Sequence, residues 1–181
     1  MSTVCSEVAL IRRVCRASFK EFCKEFWPEV PGAGKLVWSW HMDVFCEELQ
    51  IIAERIFKNQ PREYDLIENE PPGTSKSTIH SILYLNWLWT RMPELRFMAA
   101  SHTDMLCLDL STKCRTVVLS EKYRECFPEI VLRDDQAGKG YFANTKGLDR
   151  LTCTVAGKSP VGFSLSHSSH RRSDRPQEGF V

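Results

Sequence analysis

The sequence carries no excess charge of either sign, with 24 basic residues set against 23 acidic ones over 181 positions. That balance excludes a highly basic nucleic-acid coat, an acidic tail protein and a charge-rich disordered chain. It leaves DNA open as a partner, because binding needs only a local basic stripe. No CxxC pair occurs among the eight cysteines, and the closest two, Cys107 and Cys114, stand a heptad apart, as small apolar residues on one helix face do. The thiols therefore read as free and buried rather than as a disulfide framework or zinc site, which implies a reducing compartment. No apolar core of a signal peptide forms at the N-terminus, where Glu7, Arg12 and Arg13 interrupt the apolar residues. The most apolar stretch, 79–89, is far shorter than the roughly 20 residues of a membrane span. His41, His80 and His102 show neither HxH nor HxxxH spacing, so a histidine metal site is not expected. These absences describe a soluble, cytoplasmic chain with no membrane partner.

What the chain does have is a core: 43% of its residues are apolar and 10% aromatic, and its length suits one domain, perhaps with a small appendage. Apolar residues from Val8 to Trp27 recur at helical spacing and are followed by Pro28, Pro31, Gly32 and Gly34, so the lead-in reads as one or two amphipathic helices and a turn. A further helix is predicted over 39–58, with Met42, Phe45, Cys46, Leu49, Ile52 and Ile56 as its core stripe. Tyr64, Leu66 and Ile67 within 62–70 read as a strand ended by Pro71-Pro72. Residues 77–90 read as a buried helix, 95–101 as a strand, 103–114 as a helix capped by Thr103, and 151–155 as a short strand. Strand, helix, strand, helix predicts parallel βαβ units. The segment 134–140, with Asp134-Asp135 at its start, is a solvated loop by composition, and the polar residues 164–181 read as disordered.

One stretch carries chemistry. Glu70-Pro-Pro-Gly-Thr-Ser-Lys-Ser-Thr78 lies between a predicted strand and a predicted helix, and it keeps the Lys76 and Ser77 of the phosphate-binding pattern GxxxxGK[ST]. Glu70 and Ser75 stand where that pattern has its two glycines. A phosphate loop needs backbone N–H groups turned inward, a helix N-terminus behind them, a lysine for the β/γ-phosphates and a hydroxyl for Mg²⁺. Gly73 supplies one permissive residue, and Thr78 a second hydroxyl, while Ser75 adopts a left-handed backbone only at a cost of about 1–2 kcal/mol. The alternative is a Ser/Thr-rich helix cap beside a solvated lysine.

The order of these features resembles the large terminase subunit of tailed bacteriophages, the ATP-driven motor that packages DNA into proheads. The features that carry the resemblance are Leu66-Ile67, the Pro71-Pro72 loop through Thr78, the apolar helix 79–89, the strand from Phe97 to Ser101, then Arg115, Tyr123 and Phe127-Pro128. Trp38-Ser-Trp-His-Met42 and the glycine-flanked 147–163 extend it over residues 15–163. By that resemblance ATP and Mg²⁺ are the cofactors, Lys76 is the phosphate contact, Ser77 the Mg²⁺ ligand, and Gly73, Thr74, Ser75 and Thr78 complete the cradle. The family usually has Arg in place of Gly73 and Gly or Ala in place of Ser75, departures that weaken nucleotide affinity. Implied partners are duplex DNA, the small terminase subunit, the portal protein and further copies of the chain, in the host cytoplasm.

The family places an apolar strand ending in an acidic motif after Gly162-Phe163, and here the polar tail follows. Back-translated with permitted codons and read one base later, 165–180 gives an apolar strand ending in Asp-Asp-Pro, so 164–181 reads as an out-of-frame tail. The expected organisation is a helical lead-in over 1–60, a partial P-loop ATPase core over 61–163 and the tail. The expected fold class is α/β, an incomplete P-loop NTPase-like parallel sheet flanked by helices and preceded by a helical segment. No catalytic residue is assigned, and the nuclease domain of the family is absent. Two other readings stay open: a non-catalytic interaction module and a small P-loop kinase-like transferase.

Overall fold

Ser18 breaks the lead-in into two helices, α1 (Ser2–Ala17) and α2 (Phe19–Phe26), in a computed structural model that describes residues 2–137, 140–146 and 149–154. Its backbone is extended and its hydroxyl accepts the N–H of Glu21 at 3.3 Å, which starts α2 afresh. Gln50 bridges the break, because its amide accepts from the Phe19 N–H at 2.9 Å and donates to the Ala17 carbonyl at 3.1 Å. One side chain thus satisfies a terminal group of each helix. On α2 the buried residues Phe19, Phe22, Cys23 and Phe26 follow the i, i+3, i+4, i+7 rule of an amphipathic face. Pro28 then forces a 3₁₀ turn (Trp27–Glu29), and α3 (Trp40–Phe57) buries Met42, Phe45, Cys46, Leu49 and Ala53.

A π-helical segment (Thr78–Leu83) runs directly into α4 (Tyr84–Arg91), whose residues 84–90 are all buried. This is the centre of the core, and its polar tips are all satisfied, as buried polar groups must be. Tyr84 donates to the Leu49 carbonyl at 3.0 Å, Trp87 to the Cys15 carbonyl at 2.8 Å and Trp89 to the Leu95 carbonyl at 3.0 Å. The Asn86 side-chain amide donates to the Cys114 carbonyl at 3.1 Å, and the Tyr123 hydroxyl donates to the Asn86 backbone carbonyl at 2.8 Å. Around α4 the lead-in helices and the later elements share one apolar cluster, so residues 1–60 do not form a core of their own.

The remaining elements are β1 (Phe97–Ser101), α5 (Asp104–Leu119), α6 (Glu121–Cys126), β2 (Leu132–Ala137), β3 (Tyr141–Asn144) and β4 (Asp149–Thr154). Thr103 caps α5 as its sequence predicts, accepting the Leu106 N–H at 3.3 Å. Among the described residues the strands pair in the order β1-β4-β3-β2. Only β1 and β4 run parallel, while β3 pairs antiparallel with both of its neighbours.

This arrangement corrects the expected fold class. The described residues are mainly helical and contain no P-loop-like parallel sheet, because the strand expected before the loop does not form. Residues 60–71 are irregular. Pro61, Pro71 and Pro72 lack the N–H that a ladder requires, and although Leu66 packs against the core, Ile67 is 87% exposed and the short run has no sheet to join. Its polar residues instead pair locally, Arg62 with Asp65 at 2.9 Å, Glu63 with Arg55 at 2.7 Å and the Tyr64 hydroxyl with Glu48 at 2.9 Å. The segment expected as a loop after Arg133 departs the other way. Asp134-Asp135 lies within β2, because pairing with β3 extends the strand into polar sequence that local composition assigns to a turn. The tail 164–181 lies outside the described residues.

Candidate phosphate-binding loop

Two residues of the loop have a left-handed backbone, Gly73 at φ +90° and Ser75 at φ +64°. At Gly73 a side chain would meet nothing within 4 Å, so conformation rather than space calls for glycine there. Ser75 is the more informative, since a serine held left-handed is strained and persists only where its surroundings fix it. They do so on both sides. The Thr74 hydroxyl donates to the Pro71 carbonyl at 3.0 Å, the Thr74 carbonyl lies 3.2 Å from His41 Nε2, and the Ser75 carbonyl accepts the Ile79 N–H at 3.0 Å. Ser75 therefore turns the chain into the helix that Lys76 and Ser77 open.

That strain is measurable. Ser75→Gly is expected to match or exceed the wild type in stability, and Ser75→Val to fall below it by about 1–2 kcal/mol, because a β-branched residue resists this backbone most. Urea midpoints of the three proteins check the order, and a valine variant as stable as the wild type contradicts it.

Lys76 Nζ donates to the Glu70 carbonyl at 3.3 Å, so the amine folds back across the mouth of the loop. Ser77 is exposed and its hydroxyl makes no capping bond, which leaves the oxygen available to a ligand. Thr78 begins the π-helical segment, half-buried. Residues 73–78 are thus contiguous around one helix start, with N–H groups of the first turn lacking partners along the helix. The chemistry available is that of an anion site: backbone donors, one ammonium group and free hydroxyls.

The chain matches no family model, no curated protein and no solved structure.

Beneath the loop lie side chains that the sequence did not single out as a group. Glu68 and His80 meet at 2.7 Å, Oε2 to Nε2, with their side chains only 13% and 17% exposed. Burial pushes Glu68 up to about 7, against the pull of Lys76. Burial, helped by the charge of Lys76, pushes His80 down to about 4. Between those values the pair holds one proton and no net charge, with the Glu68 acid facing a neutral imidazole. The His80 ring packs edge-on against Phe45 at 5.4 Å, and Phe45 against His41 at 5.6 Å, so the loop rests on an aromatic column from α3 to the π-helical segment. A signal existed for His80, which stands four residues after Lys76 and so shares its helix face. None existed for Glu68, whose position depends on the irregular path of residues 60–71.

Of the other features of the resemblance, Tyr123 and Phe127 are core residues, while residues 155–163 lie outside the described residues. Tyr123 and Phe127 are buried against Phe22 and Phe26, with ring centroids 5.1–6.3 Å apart. Cys15, Cys23, Cys46, Cys107, Cys114 and Cys126 are buried free thiols, and burial raises Cys15 to about 12, a value that keeps it protonated and unreactive. Among the described residues no group of three or more His, Cys, Asp or Glu side chains is placed to hold a metal ion, and no helix is long and apolar enough to cross a membrane.

Proposed function

We propose that residues 73–78 form a phosphate-binding loop, and that the chain is a fragment of the ATP-driven DNA-packaging motor that it resembles in the order of its motifs. The observation that carries this reading is Ser75, held at φ +64° in the place where the phosphate-loop pattern has glycine, with Lys76 next in sequence and opening the helix. Strain kept at Ser75 supports a functional role, since none of residues 73–78 is fully buried and core packing does not call for it.

In this reading the N–H groups from Gly73 onward and Lys76 Nζ hold the β- and γ-phosphates of ATP, and Lys76 exchanges the Glu70 carbonyl for phosphate oxygen. Mg²⁺, when bound with the nucleotide, neutralises phosphate charge, and Ser77 is the side chain positioned to contact it. In this reading nucleotide binding is weak and hydrolysis negligible, because polar sequence follows Gly162-Phe163 where the family has its acidic motif. Assembly with duplex DNA, small terminase subunit, portal protein and further copies, in the cytoplasm of a host cell, belongs to the same proposal.

A fluorescent ATP analogue titrated with Mg²⁺ tests it. Lys76→Ala is expected to weaken binding at least tenfold, the loss of one charge-assisted contact of about 1.5–3 kcal/mol. Unchanged affinity in that variant removes the loop from the site. A Lys76-dependent hydrolysis rate like that of a working motor contradicts the assignment of a catalytically incompetent fragment.

A further inference from the structure

Away from the loop, a cleft of about 570 Å³ opens between α1 and α4, lined by Arg12, Arg13, Arg16, Arg91 and Glu54, with Ala9 and Ala17 beside them. Three of the guanidinium groups are fixed. Arg12 and Arg16 share the carboxylate of Glu129, Arg12 at 2.9 Å, and Arg91 pairs with Glu54 while lying 4.3 Å over the ring of Phe57. Arg13 alone of the four has no carboxylate partner among the described residues.

The cluster is costly as it stands. Arg12 and Arg16 are four apart on α1 and Arg13 and Arg16 three apart, spacings at which like charges repel by about 0.2–0.5 kcal/mol per pair. Glu129 and Glu54 offset two of the four positive charges, so two remain unmatched. Ala9 and Ala17 stand four residues to either side of Arg13, so on its own helix stripe Arg13 is flanked by small side chains that leave room for a ligand and offer it no acid. Guanidinium forks suit phosphate oxygens, and those already pinned by Glu129, Glu54 and Phe57 lose little freedom on binding.

We propose that this cleft binds the dianionic terminal phosphate of a small phosphorylated ligand, with Arg13 as the principal contact and Arg12, Arg16 and Arg91 as a fixed positive wall. The volume suits a ligand of nucleotide size, and the two unmatched charges equal those of one phosphate monoester. The site is separate from residues 73–78 and does not depend on their role.

The test is a titration of the full chain with inorganic phosphate and with ribose 5-phosphate, at ionic strength held constant with chloride and followed by thermal unfolding. Both ligands are expected to raise the melting temperature, and Arg13→Gln to weaken their binding at least fivefold without lowering the melting temperature in chloride alone, since the substitution removes a like-charge repulsion and no ion pair. Lys76→Ala is expected to leave the effect intact, which distinguishes this cleft from the loop. Three results overturn the proposal: an effect that survives Arg13→Gln, an effect lost in Lys76→Ala, or stabilisation by a short DNA duplex through Arg13 with none from either phosphate. The last of these makes the cleft a nucleic-acid surface instead.

Discussion

Replacing Trp87 by alanine is expected to lower stability by about 3–5 kcal/mol, a large fraction of the roughly 5–15 kcal/mol that holds an ordinary domain folded. The indole is fully buried at the centre of α4, in contact with Phe19 at 5.1 Å, Phe57 at 5.9 Å and Tyr84 at 6.2 Å between ring centroids. It also caps the Cys15 carbonyl near the end of α1 at 2.8 Å, so truncation opens a cavity and leaves a buried acceptor unpaired. Trp87→Phe separates these effects: it retains much of the volume and loses the hydrogen bond, for an expected cost of roughly 1–3 kcal/mol. Urea unfolding followed by circular dichroism measures both. If Trp87→Ala costs less than 1 kcal/mol, Trp87 is not the keystone of the shared core.

The second large effect concerns pH. In the folded chain Glu68 titrates near 7 instead of 4.5, and His80 near 4 instead of 6.5. Between about pH 4.5 and 6.5 the folded pair carries one proton, on Glu68, and the unfolded pair also carries one, on His80, so the two contributions to the pH dependence of stability cancel. Single variants break the cancellation in opposite directions. In His80→Gln only the raised acid remains, the folded state binds the extra proton, and stability relative to wild type falls as pH rises from about 4.5 to about 7. In Glu68→Gln only the lowered imidazole remains, the unfolded state binds the extra proton, and relative stability rises with pH from about 4 to about 6.5. Each swing is on the order of 2 kcal/mol, since a one-unit shift corresponds to about 1.4 kcal/mol and neither group is wholly sealed from water. Parallel slopes in the two variants, or a flat difference in both, contradict the shared-proton pair. The same proton bears on the loop, because Glu68 loses it near pH 7 and then presents Lys76 with a carboxylate.

The helices were legible wherever a local signal was strong. Thr103 is a cap by side-chain chemistry, and the apolar spacing of α2 and α3 is decided within each helix, whereas the cap at Ser18 that divides the lead-in was not read from the sequence. The position of the loop was legible for the same reason, as Pro71-Pro72, Gly73 and Lys76-Ser77 fall within nine residues of sequence. Where pairing between distant segments decides, local reading failed. The short run containing Tyr64, Leu66 and Ile67 reads as a strand, yet no strand edge receives it, and Asp134-Asp135 reads as a turn yet is drawn into β2 by β3. A strand is a property of two segments, and one segment reveals only half of it.

The loop shows the same division. Its sequence determined which groups are present, a lysine and hydroxyls at a helix start, and therefore the chemistry on which the proposed phosphate site rests. Only the folded structure decided that Ser75 is left-handed, since a serine enters that region when the contacts of Thr74 with Pro71 and His41, and of Ser75 with Ile79, hold its neighbourhood in place. Only tertiary packing brought Glu68 against His80, and gathered three arginines of α1 with one of α4 around a single cleft. Side-chain chemistry is written residue by residue. Burial and shared charge arise between residues far apart in the chain, and they exist only once the core around α4 has closed.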